Sequence, residues 1–182
     1  MGQSVYTRRM ITIEKITPHT IETILPQLTA LLQDAVTHGA SIGFMLPLSE
    51  EEARGYWQDV AQAIQGPLRI LWIAKVESQL AGTVQLDLAG RANGSHRAEV
   101  IKLMVHTAFR QQGVAQALMN AMEQEAFAAK RTTLVLDTRE GDVSEKLYTK
   151  LGYQRAGSIP EYARSTDGEL HTTVFMYKLL KS

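Results

Sequence analysis

The sequence predicts a single α/β domain built around a mixed sheet, and three observations lead to this prediction. Segments with the two-residue period of strands alternate with segments that have the 3.6-residue period of helices, in the order β α α β β β α β α β β. The chain has 182 residues, a length that fits one domain with its own core. It is 45% hydrophobic and contains no repeat, linker or low-complexity run, which excludes a disordered protein.

Residues before position 50 predict a strand, a helix and an apolar loop. Met10–Lys15 alternates apolar and polar residues, which is the pattern of a half-buried strand. A helix should begin at Thr17-Pro18, and Pro26 should kink or restart it because proline cannot donate a backbone hydrogen bond. Gly39–Pro47 is apolar although Gly and Pro interrupt it, so it is either a loop packed beneath the helices or a lid that lines a substrate site.

A second helix and a hairpin should follow. Ser49 and Glu52 have the spacing of a capping box, and the helix that they start should end at Gly66-Pro67. Arg69–Val76 and Leu80–Leu88 are apolar and rich in β-forming residues. The short polar segment between them predicts a β-hairpin.

The second half of the chain predicts alternating strands and helices. Glu99–Val105 has the pattern of a strand, and Val114–Lys130 carries a thin, Ala-rich apolar stripe at helical spacing. Thr133–Asp137 is short and apolar, as strands in the interior of a sheet are. The remaining predicted elements are a helix at Val143–Leu151 and two strands at Tyr153–Ile159 and Thr172–Leu180.

Composition excludes several classes of function. The chain has 19 Lys and Arg and 19 Asp and Glu without a charged block, so it offers no basic face for nucleic acid or membrane. It has no cysteine, which excludes disulfides, Cys-ligated zinc, iron–sulfur clusters and a cysteine nucleophile. The histidines lack the spacing of metal-binding motifs, so we expect no metal. No segment has the length of a membrane span or the pattern of an export signal, and we expect a cytoplasmic protein.

The turn between the strand that ends at Val105 and the helix that begins near Val114 could bind an anion. Its sequence is Arg110-Gln111-Gln112-Gly113-Val114-Ala115. The first turn of a helix presents unpaired N–H groups and the positive end of the helix dipole. Gly113 lets the backbone approach a ligand closely, and Ala115 leaves room for it. The turn is therefore either a pyrophosphate site or an ordinary strand–helix connection, and it matches neither a dinucleotide nor a Walker A motif.

A second motif gives this turn a context. Leu147–Tyr153 contains Tyr148-Thr149-Lys150-Leu151-Gly152-Tyr153, which fits the pattern Y-x-x-L-G-[FY], and Tyr148 follows Arg110 by 38 residues. With the R-x-x-G-x-[GA] turn and this element order, the chain resembles the GNAT (GCN5-related N-acetyltransferase) superfamily over essentially its whole length. The segments that look most similar to the tabtoxin resistance protein type are His96–Val105, Leu136–Thr138, Asp167–His171 and the apolar loop Gly39–Pro47.

The resemblance implies a fold and a cofactor. One domain would span residues 1–182, with an acetyl-CoA-binding core at about 99–153 in which the strands near Val105 and Asp137 separate into a V. Two departures from the family pattern are Gly141, where many members have Asn, and Thr107, where Pro is usual. The implied contacts of acetyl-CoA are Leu103, Met104, Val105, Arg110, Gln111, Gln112, Gly113, Val114, Ala115, Gln116, Ser144 and Tyr148.

The resemblance also assigns the catalytic groups. Aminolysis of a thioester needs a neutral amine, and deprotonating an alkylamine of pKa 10.4 costs about 4.6 kcal/mol at pH 7. Glu99 is the candidate base, and Asp137 is a second base or an anchor for the amine; both could instead be solvated strand ends. Tyr148 is the candidate acid, or else a tyrosine packed on the sheet. A backbone N–H near Met104 would stabilise the oxyanion.

These assignments predict an enzyme that acetylates the primary amine of a small molecule, such as an amino-acid-like toxin or antibiotic. The alternatives are a peptide or protein N-acetyltransferase and a non-catalytic acetyl-CoA sensor. The protein is expected to be a monomer or a homodimer, and His106 is expected to be exposed. His96 and His171 either border the acceptor site or have surface or core roles. The residues predicted to line the acceptor site are Ser41, Phe44, His96, Glu99, Asp137 and His171.

Overall fold

A computed structural model describes residues 10–181 and contains seven strands and five α-helices within them. The elements, in chain order, are β1 (Ile11–Lys15), α1 (Pro18–Thr23), α2 (Leu25–Thr37), α3 (Glu50–Ala63), β2 (Arg69–Val76), β3 (Gln79–Leu88), β4 (Arg97–Val105), α4 (Val114–Ala128), β5 (Thr133–Arg139), α5 (Val143–Lys150), β6 (Gln154–Arg164) and β7 (Leu170–Leu179).

The starts of the first three helices follow the local sequence. Thr17 caps α1, and α2 is a separate helix that carries Pro26 in its first turn, so the predicted break is confirmed. Ser49 caps α3 in a reciprocal capping box: its hydroxyl accepts from the Glu52 amide at 3.1 Å, and the Glu52 carboxylate accepts from the Ser49 amide at 3.0 Å. Local hydrogen bonds therefore determine where these helices begin.

The strands form one sheet in the order β1-β2-β3-β4-β5-β7-β6. All neighbours are antiparallel except β4 and β5, which are parallel. The pairing of β4 with β5 is limited to Arg97–Glu99 against Thr133–Val135. Both strands continue beyond this segment without pairing to each other, and the centre of the sheet is therefore split.

The two faces of the sheet carry separate cores. Helices α1 to α3 cover one face, where Trp57 and Leu71 are fully buried, and α4 covers the other, where Leu118 and Met122 are fully buried. Burial of such side chains contributes roughly 1.5–3 kcal/mol each. This packing fixes the strands on both sides of the split.

The last hairpin is longer than the sequence predicted. Strand β6 continues past Ile159 to Arg164, and β7 begins at Leu170. Pro160 interrupts the strand pattern, but the pairing shifts register between Ile159 and Ala163, and this bulge accommodates the proline on an edge strand. Of the helices in the described residues, none has the length and apolar character that crossing a bilayer requires.

Candidate active site

A cavity of about 330 Å³ occupies the split between β4 and β5. Both strands contribute to its walls, as do α5 and the loop between α2 and α3. Four of the predicted cofactor or substrate residues from outside β4 lie in the walls, namely Ser41, Asp137, Ser144 and Tyr148. The other lining residues that matter for the chemistry are Ile42, Gly43, Lys102, Leu103 and Asp142.

Glu99 is the last residue of β4 that pairs with β5, directly before these two strands separate. It is opposite Asp87 on β3 and Val135 on β5. With these two residues it lines a neighbouring cavity of about 300 Å³ rather than the cavity that contains Tyr148. Partial burial, together with the negative charges of Asp137 and Asp87, raises the pKa of the Glu99 carboxyl above 4.5. Glu99 is therefore a stronger base than an ordinary glutamate.

Asp137 follows the paired segment of β5 and lines the split itself. Partial burial raises the pKa of the Asp137 carboxyl, although the residue remains partly exposed to solvent, and the positive charge of Lys102 opposes this shift. Glu99 and Asp137 thus belong to the same electrostatic site, one on each of the separating strands. Carboxylates whose pKa is raised by burial and by a neighbouring charge in a cleft are typical of a site that handles protons.

Tyr148 is buried in α5 and faces the cavity. Burial, then the charges of Asp137 and Asp142, raise the pKa of its phenol above 10. The phenol is therefore protonated at neutral pH, as a proton donor must be. Ser144 lies one turn earlier, and its hydroxyl is 2.6 Å from that of Thr138 on β5.

The turn before α4 has the backbone of an anion site. Gln111 and Gly113 both have left-handed φ values, of 60° and 86°, and Gly113 caps α4 without a side-chain hydrogen bond. The first N–H groups of α4 consequently have no side-chain partner at the cap. Arg110 and Gln112 donate back to the carbonyl oxygens of Val105 and Ala108. That acetyl-CoA places its pyrophosphate at this turn stays a prediction.

Sequence and structure comparisons agree with this geometry. The model of the acetyltransferase (GNAT) family matches residues 29–153. The chain belongs to the GNAT acetyltransferase family. An uncharacterized N-acetyltransferase in the hisH-hisA intergenic region of Azospirillum brasilense is 33% identical over 133 residues, which are 71% of this chain and 76% of that protein.

Solved acetyltransferase structures share the fold. A ribosomal-protein-alanine N-acetyltransferase from Brucella melitensis has a TM-score of 0.75 at 22% identity, over 93% of this chain and 99% of that one. The yncA protein of Salmonella typhimurium, solved with its cofactor acetyl-CoA, has a TM-score of 0.74 at 16% identity, over 94% and 95%. The GNAT protein described here is an acetyl-CoA-dependent N-acetyltransferase, and acetyl-CoA is its acetyl donor.

The cleft of this GNAT enzyme contains a lysine that the sequence analysis missed. Lys102 has a φ of 53° in the middle of β4 and lines the split. Its Nζ donates to the carbonyl oxygen of Ile42 at 2.5 Å and lies 5.5 Å from the ring centroid of Phe44. The sequence contained one indication of this role: Lys102 is the only charged residue in the otherwise apolar segment Val100–Val105, and buried strands rarely contain a lysine.

A polar network on β2 and β3 beside Glu99 was also not predicted from the sequence. Gln85 is fully buried and donates from Nε2 to the hydroxyl of Tyr56 at 2.8 Å. Arg69 donates to Gln85 at 3.1 Å and to the Asp87 carboxylate at 2.7 Å. The sequence indicated such a network through Thr83, Gln85 and Asp87, which are polar residues at alternate positions of the largely buried strand β3. Within this network Asp87 raises the pKa of Glu99 and Arg69 lowers it.

Three histidines lie outside the cavity walls. The side chain of His96 is exposed. His171 pairs with Ala163 in the last hairpin and shares a 4.8 Å cluster of potential ligand atoms with Asp167 and Glu169. Neither His96 nor His171 is among the lining residues, so their substrate contact remains a prediction. The expectation that His106 is exposed was wrong: it is half-buried, because α2 packs against the turn that contains it.

Proposed function

We propose that this GNAT enzyme transfers the acetyl group of acetyl-CoA directly to the primary amine of a small molecule such as an amino-acid-like toxin or antibiotic. The observation that carries this proposal is the pair of carboxylates with raised pKa, Glu99 and Asp137, on the two strands that separate. The similarity of His96–Val105 and Asp167–His171 to the tabtoxin resistance protein type supports the substrate class.

A small acceptor is favoured over a peptide by the loop between α2 and α3. Residues Ala40 to Gly43 form one wall of the cavity, and Phe44 packs edge-on against Tyr56 at a centroid distance of 5.1 Å. A long peptide would need an open groove here. A cavity of about 330 Å³ suits a thioester and a compact amine.

The carboxylates would supply the neutral amine. A general base contributes roughly 10²–10⁴-fold, or about 2.7–5.5 kcal/mol, which is comparable to the cost of deprotonating the amine. Glu99 is the proposed principal base because it lies where β4 and β5 begin to separate and because its raised pKa makes it a stronger base than an ordinary glutamate. Asp137 is closer to Tyr148 along the cavity wall and is the proposed anchor for the ammonium form before the proton is lost.

The remaining groups would stabilise the reaction at the thioester. Tyr148 would donate its proton to the sulfur of the leaving group, and the backbone N–H near Met104 would stabilise the oxyanion. Acetyl-CoA supplies the activated acetyl group. The pantetheine arm would lie along Leu103, Met104 and Val105. The turn Arg110–Gln116 would hold the pyrophosphate through its N–H groups, with Val114 and Ala115 contributing backbone only.

Thiol release from acetyl-CoA tests the proposal. The panel contains β-lactam amino acids, basic amino acids, aminoglycosides, polyamines and short peptides that begin with alanine. Small amines should be turned over, with kcat/KM at least tenfold above that of any peptide. Preference for the alanine peptides would replace this proposal with a protein substrate. Binding of acetyl-CoA without turnover of any amine would indicate a sensor.

A further inference from the structure

Lys102 places a primary amine inside the split of the sheet. Thr83 pairs with Met104 and Gln85 with Ile101, so β4 has one residue more than β3 across this segment. The extra residue creates a bulge, and Lys102 takes up the strained left-handed conformation within it. The bulge breaks the alternation of side chains, and Lys102 lines the same cavity as Leu103 and Tyr148.

Residues of the loop between α2 and α3 contact this amine. Its carbonyl at Ile42 accepts from Nζ, and the face of Phe44 lies 5.5 Å away. Gly43 has a φ of 87°, and a Cβ at that position would lie 3.3 Å from Nζ of Lys102. The loop therefore holds the amine of Lys102 inside the cleft.

The charges around Lys102 favour a reactive amine. Burial lowers the pKa of the Lys102 ammonium, and Arg69 on β2 acts in the same direction. Asp137 on β5 and Glu99 on β4 oppose the shift, and both are carboxylates that could take a proton from Nζ. Lysine changes its pKa readily on burial and then serves as a base or nucleophile. Lys102 is thus a primary amine with a lowered pKa and with carboxylates nearby, as the acceptor in the proposed reaction should be.

We propose that Lys102 is a self-acetylation site of the enzyme, used when no other amine occupies the cleft. Nζ attacks the carbonyl carbon of the acetyl thioester. The new bond joins Nζ to that carbon, the carbon–sulfur bond breaks, and coenzyme A leaves as the thiol. The proton that Nζ loses passes to Asp137, and an equivalent proton reaches the sulfur from Tyr148. This proposal rests on the proposed function in one respect, that acetyl-CoA occupies the split.

Peptide mapping by mass spectrometry tests the modification. The full-length protein is incubated with acetyl-CoA that carries a deuterated acetyl group, in the absence of any amine. We expect one label per chain on Lys102, formed at least tenfold faster than on Lys146 and Lys150. These two are exposed lysines of α5 that report uncatalysed acetylation.

Three variants test whether Lys102 is the acetylated amine and whether Asp137 accepts its proton. Lys102→Arg keeps the positive charge but removes the nucleophilic amine, and it should lose the rapid label. Lys150→Arg, the matched control, should keep it. Asp137→Asn should slow the labelling of Lys102 at least about tenfold, because the amide cannot accept the proton. An unchanged labelling rate in Asp137→Asn would contradict the proton transfer described above.

The same preparation is tested for acetyl-CoA binding by calorimetry and for turnover of the amine panel. Turnover of an amine with Lys102 labelled no faster than Lys150 would refute self-acetylation and leave the proposed function standing. Rapid labelling of Lys102 without turnover of any panel amine would support self-acetylation and refute the small-molecule function. Absence of acetyl-CoA binding would refute both.

Discussion

Replacing Glu99 by glutamine tests the central element of the proposed chemistry. The amide keeps the size of the side chain and its place opposite Asp87 but cannot accept a proton. If Glu99 is the base, kcat should fall by roughly 10²–10⁴, or about 2.7–5.5 kcal/mol in the activation free energy. The affinity for acetyl-CoA should stay within about threefold, because the proposed pyrophosphate turn lies at the other end of β4.

The pH dependence gives this prediction a second readout. A general base works in its ionised form, so kcat/KM of the wild type should decline as the pH falls through the pKa of Glu99. Because that pKa is raised, the midpoint of the decline should lie above 4.5. In Glu99→Gln this acid limb should disappear.

Steady-state kinetics from pH 4 to pH 9 with a turned-over amine would measure both effects. Glu22→Gln removes an exposed carboxylate from α1 and is the matched control, with wild-type kinetics expected. A kcat for Glu99→Gln within threefold of the wild type, or an unchanged acid limb, would remove Glu99 from the mechanism. Asp137 would then be the remaining candidate base.

Three further predictions follow from the same site. Asp87→Asn should move the acid limb of kcat/KM to lower pH, because it removes a negative charge that raises the pKa of Glu99. Arg69→Met should move the limb to higher pH, because it removes a positive charge that lowers this pKa. Shifts of the same sign in the two variants would contradict this explanation. Gly113→Glu should abolish acetyl-CoA binding in calorimetry, whereas Gly113→Ala, whose Cβ meets no atom within 4 Å, should lose only the roughly 1 kcal/mol of a left-handed backbone. In urea unfolding, Glu99→Gln and Asp137→Asn should each be more stable than the wild type at pH 7, because the folded state raises the pKa of both carboxyls and so disfavours their ionised forms. The gain should be less than about 1 kcal/mol, because both side chains are partly exposed to solvent. This gain should vanish below pH 4, where the wild-type carboxyls are protonated, and a gain that is independent of pH would refute the explanation.

Much of the fold could be predicted because its determinants are local. The capping box at Ser49 and the restart of the helix at Pro26 depend on hydrogen bonds within four residues. The strand–helix turn at Gly113 likewise depends on the conformations that one residue allows. The motif around Tyr148 added, through a family resemblance, the expected separation of the strands near Val105 and Asp137. Element ends were less certain where tertiary pairing extends a strand, as β6 does beyond Pro160.

The direction of individual side chains in the cleft could not be predicted in the same way. Strict alternation along β4 would place Lys102 on the face opposite to Glu99 and Ile101, but the bulge against β3 turns it into the split. The pKa shifts of Glu99 and Asp137 depend on a distance between two strands whose paired residues are 36 positions apart in the chain. Neither the bulge nor that distance has a signature within a short window of sequence.

The sequence by itself determined the class of the domain, the positions of its helices and strands, and the residue types that can bind a diphosphate or move a proton. The tertiary structure decided which of those residues share a cavity, because the parting of β4 from β5 and the packing of two cores against the sheet arise from contacts between distant segments. Hydrogen bonds over a few residues can be read from the chain, whereas the desolvation and the charge that tune a carboxylate depend on everything that folds around it.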